Sequence, residues 1–79
     1  MERHEILTKI RPVFSDIFDV DEDMVNEDTT SEDIPGWDSL NHIVLIASLE
    51  NEFSIRFSLD DYAEMKKVQD IMNYIEAQL

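Results

Sequence analysis

The sequence predicts an all-α protein: a four-helix bundle of three longer helices and a short third helix, with a long loop between helices one and two. In three segments, apolar residues recur at steps of three and four, the spacing of one face of an α-helix. No strand pattern competes with these helices, and residues 54–57 are expected to be a short extended connection. A chain of 79 residues has room for one small hydrophobic core, so we expect a single domain over residues 1–79.

The first helix is predicted over residues 3–18. Pro12 falls inside this segment, and proline both lacks a backbone N–H and crowds the preceding turn. We therefore expect a kink or a restart at Pro12, with the apolar stripe continuing across it. The residues of this stripe are Ile6, Ile10, Val13, Phe14 and Ile17.

Residues 19–37 have no sustained period, and they contain Pro35 and the only glycine, Gly36. This connection is longer than most loops of compact domains. We therefore expect it either to be functional or to be held in place by apolar contacts. The candidates for such contacts are Val20, Val25, Ile34 and Trp37.

The second helix is expected from Leu40 to Phe53, with Asp38 as its N-cap. At about 100° per residue, its apolar side chains fall into two stripes. A helix with two stripes is either central in a bundle or uses the second stripe to contact a partner. The inner stripe comprises Ile43, Ile46, Leu49 and Phe53, with Leu45 and His42 beside it, and the outer stripe comprises Leu40, Val44 and Ala47.

Two further helices complete the bundle. Ser58 and Asp61 have the spacing of a capping box, which predicts a short helix near residues 59–64. A final amphipathic helix follows Lys66 and Lys67, and lysines at a helix N-terminus oppose the helix dipole, so we expect a weak start. The apolar positions of this helix are Val68, Ile71, Met72, Ile75 and Leu79.

The formal net charge is −13, which excludes a nucleic-acid-binding role that depends on basic side chains. Residues 12–55 hold twelve acids and no base, so this part of the surface either maintains solubility or steers a partner that has a basic patch. There is no cysteine, and no apolar run has the length of a signal peptide or a membrane span. We therefore expect a cytoplasmic protein without membrane contact.

A calcium site in the loop is not expected. Asp19, Asp21 and Asp23 match the first three ligand positions of an EF-hand loop. The turn glycine and the chelating glutamate of that motif are replaced by Met24 and Thr30. We predict no dedicated metal site.

Asp38, Ser39 and His42 contain the residue types of a hydrolytic triad. The chain lacks a Gly-x-Ser-x-Gly turn and a glycine-rich oxyanion loop, so we do not expect an enzyme. His42 is instead predicted to be packed and semi-buried. Ser39 is either part of a plain helix start or a site for a covalently attached phosphodiester, since helix N-termini favour phosphate groups.

Three features together resemble the acyl carrier protein family, and the resemblance covers essentially the whole chain. They are the Asp38-Ser39-Leu40 motif near mid-chain, the acidic loop before it, and the spacing onward through Glu50-Asn51-Glu52-Phe53, Phe57, Met65 and Val68. The resemblance implies that Ser39 receives 4′-phosphopantetheine from coenzyme A, with Asp38 and Leu40 as flanking cofactor-binding residues. The thiol of that arm then carries acyl groups as thioesters, which is compatible with a chain that has no cysteine.

The resemblance further implies a carrier that is not itself an enzyme. Its partners would be a phosphopantetheinyl transferase and enzymes that load and transfer acyl groups, and we expect a monomer. Much of the recognition in this family falls on helix two. The residues predicted to face partners are Leu40, Asn41, Val44, Ala47, Glu50 and Asn51.

In the family an acyl chain often folds back between helices two and three. Here the lining is expected from His42, Ile43, Ile46, Phe57 and Met65. We hypothesise that an imidazole at the mouth of this cavity favours short or polar cargo.

The sequence departs from fatty-acid-synthesis carriers at Asn41 and Val44, where those relatives usually have acids. We therefore expect partners that depend more on apolar contact, and a specialised carrier of a polyketide, nonribosomal-peptide, glycan-modifying or other secondary pathway instead of the main fatty-acid-synthesis carrier. The alternative is an unmodified acidic helical module for protein interaction.

Overall fold

The structure, a computed structural model, describes all 79 residues and confirms the predicted all-α architecture. The four α-helices are α1 (Arg3–Phe18), α2 (Ser39–Phe53), α3 (Leu59–Glu64) and α4 (Val68–Gln78), and a 3₁₀ turn (Glu22–Met24) lies in the long loop. Helix α1 packs against α2 and α4, and α3 packs against α2. No helix combines the length and the apolar character that crossing a bilayer requires.

Helix α1 runs without interruption through Pro12, so the restart considered from the sequence is not observed. Pro12 is exposed, and the apolar residues on both sides of it are buried in the same core. Both halves of α1 therefore pack against the same hydrophobic core. At the end of the stripe, Phe18 is buried, whereas Ile17 is only partly buried against the core.

The core is one cluster of 18 buried hydrophobic residues. It includes Val25, Ile34 and Trp37 of the long loop, and Val20 packs against it at the edge. The prediction that apolar contacts hold this loop is therefore confirmed. Helix α3 contributes no buried residue, so the side of α2 that faces α3 is only partly covered.

The inner stripe of α2 differs from the prediction at Ile43. The residues of α2 that reach the core are Leu45, Ile46, Leu49 and Phe53, and the side chain of Ile43 is 55% exposed. Its angular position is on the α3 side, where the short third helix leaves a groove. The outer stripe of Leu40, Val44 and Ala47 is exposed, so of the two alternatives for α2 the helix enclosed on all sides is not observed.

The expectation of a weak start for α4 is wrong, because the backbone of the long loop caps this helix. The Val68 N–H donates to the Thr29 carbonyl at 2.9 Å, and the Gln69 N–H donates to the Glu27 carbonyl at 3.2 Å. These bonds satisfy N–H groups that would otherwise lack partners at a helix N-terminus. The side chains of the two preceding lysines do not take part in this cap.

Arg3 ties the loop to both terminal helices. Its guanidinium donates to Glu27 at 2.6 Å and to Asn73 at 2.9 Å, and it also pairs with Glu76. The hydrogen bond to Glu27 is the main cause of the raised pKa of Arg3, and the bond to Glu76 adds to it. Two of the nineteen acids are thereby fixed in position by one base.

Thr29 is the single buried polar residue, and its hydroxyl joins two parts of the loop. The hydroxyl donates to the Met24 carbonyl at 3.0 Å and accepts from the Asn26 N–H at 3.0 Å. A buried polar group that loses its partner is destabilising. The loop conformation, and with it the cap on α4, should depend on this hydroxyl.

We expect Thr29→Val, which keeps the side-chain shape, to lower the free energy of unfolding by about 1–3 kcal/mol. Urea denaturation followed by circular dichroism measures this change. The matched control is Thr8→Val, since the Thr8 hydroxyl also bonds to a backbone carbonyl, at 2.8 Å, but is exposed on α1. An equal loss in both variants would contradict the structural role of Thr29.

Candidate functional site

Ser39 is the first residue of α2, and its side chain is exposed. The N-cap Asp38 accepts the Asn41 N–H through its carboxylate at 2.9 Å and the His42 N–H through its carbonyl at 2.8 Å. The N–H groups of Ser39 and Leu40 have no partner within the chain. A free hydroxyl therefore stands beside two free donors at the positive end of a helix dipole.

The turn before Ser39 is fixed by Gly36 and Asn41. Gly36 has a φ of +88°, a conformation that glycine adopts at little cost. Its carbonyl accepts the Asp38 N–H at 2.9 Å and the Asn41 side-chain amide at 2.8 Å. Asn41, which the sequence places on the partner face, is thus engaged in holding the turn.

Trp37 anchors this turn in the core. The indole is only 7% exposed and packs edge-on against Phe14, with ring centroids 5.1 Å apart. It also lies 6.1 Å from Phe18 and stacks on His42 at 6.0 Å. The position of Ser39, two residues further on, is therefore set by a buried aromatic side chain.

His42 links three elements through its two ring nitrogens. Nδ1 accepts the Trp37 indole N–H at 2.9 Å, so the proton of the neutral ring is on Nε2, which donates to the Tyr62 carbonyl at 2.8 Å. The side chain is half-buried, as the sequence indicates. Because both nitrogens are hydrogen-bonded within the chain, His42 is not available as a base for Ser39. The hypothesis that the imidazole favours short or polar cargo stays a prediction.

A groove of about 610 Å³ runs beside Ser39 between α2 and α3. Of the five residues predicted to line an acyl cavity, His42, Ile43 and Met65 line this groove. Ile46 and Phe57 do not, because both side chains are buried in the core beneath it. The residues that sequence reasoning missed are Ser31, Trp37, Leu59, Tyr62, Ala63 and Lys66, together with the motif residues Asp38 and Ser39.

Most of these missed residues come from loops and from α3, whose positions depend on contacts far apart in the sequence. Only Leu59 could have been found from the sequence. It is a large apolar residue directly after the capping serine, a position that a helix start does not need to bury. Its side chain is 82% exposed at the groove. An exposed leucine next to an apolar groove indicates a surface that can be covered.

Helix α3 has no buried residue and is held at its ends and middle by hydrogen bonds. Its capping box pairs Ser58 with Asp61, at 3.2 Å for each bond, and the His42 ring holds the Tyr62 carbonyl. At its C-terminus, Glu64 accepts the Tyr74 hydroxyl at 2.8 Å. The short helix is thus positioned by polar contacts, with Met65 as the buried anchor after it.

The hydrogen bond to Glu64 raises the pKa of Tyr74 to about 12, with smaller contributions from burial and nearby carboxylates. The folded-state pKa is above the ordinary value near 10, so the bond contributes its full stabilisation below about pH 10. This contribution is lost as the pH rises through about 12. The tether between α3 and α4 is therefore complete at neutral pH.

The outer face of α2 presents Leu40, Val44, Ala47 and Asn51, all exposed, to solvent. The Leu40 side chain is 72% exposed. Glu50, also predicted to contact partners, accepts the Phe57 N–H through its carboxylate at 2.7 Å. It braces the connection between α2 and α3, so its role within the chain is structural.

One group of side chains has metal-ligand types within reach of one another: Glu2, His4 and Glu5, at the exposed start of α1. Glu2 and Glu5 already form the capping box of that helix. The group is separate from the loop acids Asp19, Asp21 and Asp23 and from Ser39.

We expect His42→Phe to lower the free energy of unfolding by about 1–3 kcal/mol, because it leaves the buried Trp37 N–H without an acceptor. Urea denaturation measures the loss, and the indole N–H proton resonance should move upfield. The control is His4→Phe, since the His4 side chain is 75% exposed and should change stability little. An unmoved indole resonance in the His42 variant would contradict the bond.

Comparison with known proteins agrees with this geometry. Residues 8–75 match the family model described as a phosphopantetheine attachment site. The chain is 35% identical over 77 residues to an acyl carrier protein of Thermotoga maritima, covering 98% of this chain and 95% of that one. It is 36% identical over 76 residues to an acyl carrier protein of Thermosynechococcus vestitus, covering 95% and 93%.

A solved structure of an acyl carrier protein from Enterococcus faecalis superposes on the whole of this chain with a TM-score of 0.79 and 28% identity, and the match covers 100% of both chains. The family match spans most of the chain, and the relatives are matched over nearly their full length. The protein therefore belongs to the acyl carrier protein family, whose members carry acyl groups on a covalently attached 4′-phosphopantetheine.

Proposed function

We propose that Ser39 is the residue that carries the 4′-phosphopantetheine, and that the protein presents acyl thioesters to partner enzymes. The observation that supports this assignment is the exposed Ser39 hydroxyl at the first position of α2, beside the free N–H groups of Ser39 and Leu40. A phosphodiester on this oxygen would lie where a helix N-terminus attracts negative charge. Asp38 leaves these donors free because it caps Asn41.

The two other fully exposed serines fit the modification less well. The Ser58 hydroxyl also lies at a helix start, but it accepts the Asp61 N–H in a capping box that a phosphodiester would disrupt. Ser54 lies at the C-cap of α2, the negative end of the helix dipole. Ser39 alone among these combines exposure, the positive end of a helix dipole and a hydroxyl that no hydrogen bond within the chain engages.

The bound group supplies the thiol that forms a thioester with the acyl group. The protein's own contribution is to hold the attachment residue on a rigid helix start and to leave it accessible. Trp37 and Gly36 fix the turn before it, and His42 fixes α3 next to it. We propose that the chain is a carrier without catalytic activity of its own, because the nearest candidate base, His42, has both nitrogens engaged.

The partners we propose are a phosphopantetheinyl transferase and the enzymes that load and transfer the acyl group. The exposed residues of the outer face of α2 fit this role: Leu40, Val44, Ala47 and Asn51. The excess of acids over residues 12–55 would steer partners with basic surfaces, and the apolar stripe would then decide which partner stays bound. A monomeric, cytoplasmic protein remains part of this proposal.

The neutral outer face further supports a specialised carrier of a polyketide, nonribosomal-peptide or glycan-modifying pathway. Val44 is exposed and uncharged, and Asn41 is engaged in the turn and provides no negative charge to a partner. Partners of this protein would therefore meet less charge on α2 than those of carriers with acids at both positions.

Incubation with coenzyme A, Mg²⁺ and a phosphopantetheinyl transferase should add the mass of one phosphopantetheine to the wild type. Ser39→Ala should gain nothing, because the acceptor oxygen is absent. Intact-mass spectrometry measures both. Ser58→Ala is the matched control and should be modified like the wild type, whereas an unmodified wild type would favour the alternative of an acidic interaction module.

We expect Val44→Glu and Ala47→Glu each to lower kcat/KM of the transferase for this carrier by about fivefold or more, the effect of a lost contact above about 1 kcal/mol. Each substitution places a negative charge in an apolar contact between the outer face of α2 and the transferase, and this charge weakens binding. Initial rates at varied carrier concentration measure the change.

Met24→Glu is the control for added charge, because Met24 is exposed in the long loop away from α2. It should leave kcat/KM close to that of the wild type. Equal losses in all three variants would mean that net charge, and not the outer face of α2, determines binding.

A further inference from the structure

We infer that the groove beside Ser39 selects an acyl group that ends in a carboxylate, and that Lys66 binds this carboxylate. The inference rests on the proposed attachment at Ser39, and it adds the chemical class of the cargo. Its basis is the set of polar groups that the fold leaves unpaired along the groove between α2 and α3.

Lys66 lines the same groove as Ser39. Its backbone is fixed on both sides, since its N–H donates to the Asp70 carboxylate at 3.3 Å and its carbonyl accepts the Ser31 N–H at 3.0 Å. The side chain is exposed, and its ammonium group forms no ion pair with any acid of the chain. Lys66 is therefore a groove residue with a fixed backbone and an ammonium group that no acid of the chain pairs with.

The other five bases do not line this groove. Arg3 is paired with acids, Arg11 bonds to the Val25 carbonyl at 2.8 Å, and Lys9 lies over the Phe53 ring. Arg56 lines a separate depression at the far end of α2. Lys67 is exposed next to Lys66 but does not line the groove, so Lys66 is the one base in its lining.

The remaining groove residues suit such a cargo. Ser31 and Tyr62 add two hydroxyl groups, each able to donate a hydrogen bond to a carboxylate oxygen. Ile43, Leu59 and Met65 provide apolar surface for the methylene groups between the thioester and the charge. The volume of about 610 Å³ is within the range of sites that hold small molecules.

The acidic surroundings do not cancel this preference. Asp38, the acid that lines the groove, and Asp70, which accepts the Lys66 N–H, both keep their charge, but neither forms an ion pair with the Lys66 ammonium. More distant acids are screened beyond about 8 Å at physiological ionic strength. A contact between the Lys66 ammonium and a carboxylate is made at much shorter range.

The test loads the carrier from two coenzyme A thioesters of the same shape: glutaryl, which ends in a carboxylate, and 5-methylhexanoyl, which ends in two methyl groups. Intact mass first verifies one loaded group on Ser39. The measured quantity is the rate of thioester cleavage by hydroxylamine, divided by the rate for the same acyl group on free pantetheine. This ratio removes any intrinsic reactivity of the glutaryl thioester.

We expect the wild type to protect the glutaryl thioester about threefold more than the 5-methylhexanoyl thioester, the size of one exposed ion pair. Lys66→Met should remove this difference, and 0.5 M salt should reduce it. Lys67→Met is the matched control, since Lys67 is exposed next to Lys66 but does not line the groove, and it should keep the difference.

As a second readout, the backbone amide resonances of Ser31 and Lys66 should shift in the glutaryl form and not in the 5-methylhexanoyl form. Equal protection of the two thioesters by a fully loaded wild type would overturn this inference and leave the proposed function intact. Absence of any loading on Ser39 would overturn both.

Discussion

The site depends on one chain of hydrogen bonds, from the Trp37 indole through the His42 ring to the Tyr62 carbonyl. Trp37 belongs to the long loop, His42 to α2 and Tyr62 to α3, so two bonds connect the three elements around Ser39. The indole is buried and its N–H needs an acceptor, while α3 has no buried residue and needs a tether. The His42 imidazole provides both the acceptor and the tether. It thereby holds the loop and α3 in place on either side of the groove beside Ser39.

The charged residues around this chain of hydrogen bonds fall into two groups. Arg3 and Arg11 use their guanidinium groups to hold the long loop on the helices, so part of the basic content serves the fold. Most of the acids remain on the surface of residues 12–55, and the outer face of α2 is neutral and apolar. The acidic surface and the apolar outer face of α2 are thus separate parts of the molecule, and Lys66 adds a positive charge at the groove.

The helices could be predicted from the sequence, because helix caps and the spacing of apolar residues involve only residues a few positions apart. The Asp38 cap and the Ser58 capping box were both predicted and observed. Contacts between distant segments were not predictable in this way. Asn41 turned out to hold the turn at Gly36, and Glu50 to hold the Phe57 N–H, because a polar residue on a helix surface does not reveal which loop returns to it.

The cap on α4 consists of backbone carbonyls, those of Glu27 and Thr29, and it has a consequence for how the protein can change over evolution. A cap made by the main chain places few demands on the side chains around it. Most acids of the long loop can therefore be exchanged or moved without loss of the helix that the loop supports. Related chains could acquire new partners through substitutions among these surface acids, without a change of fold.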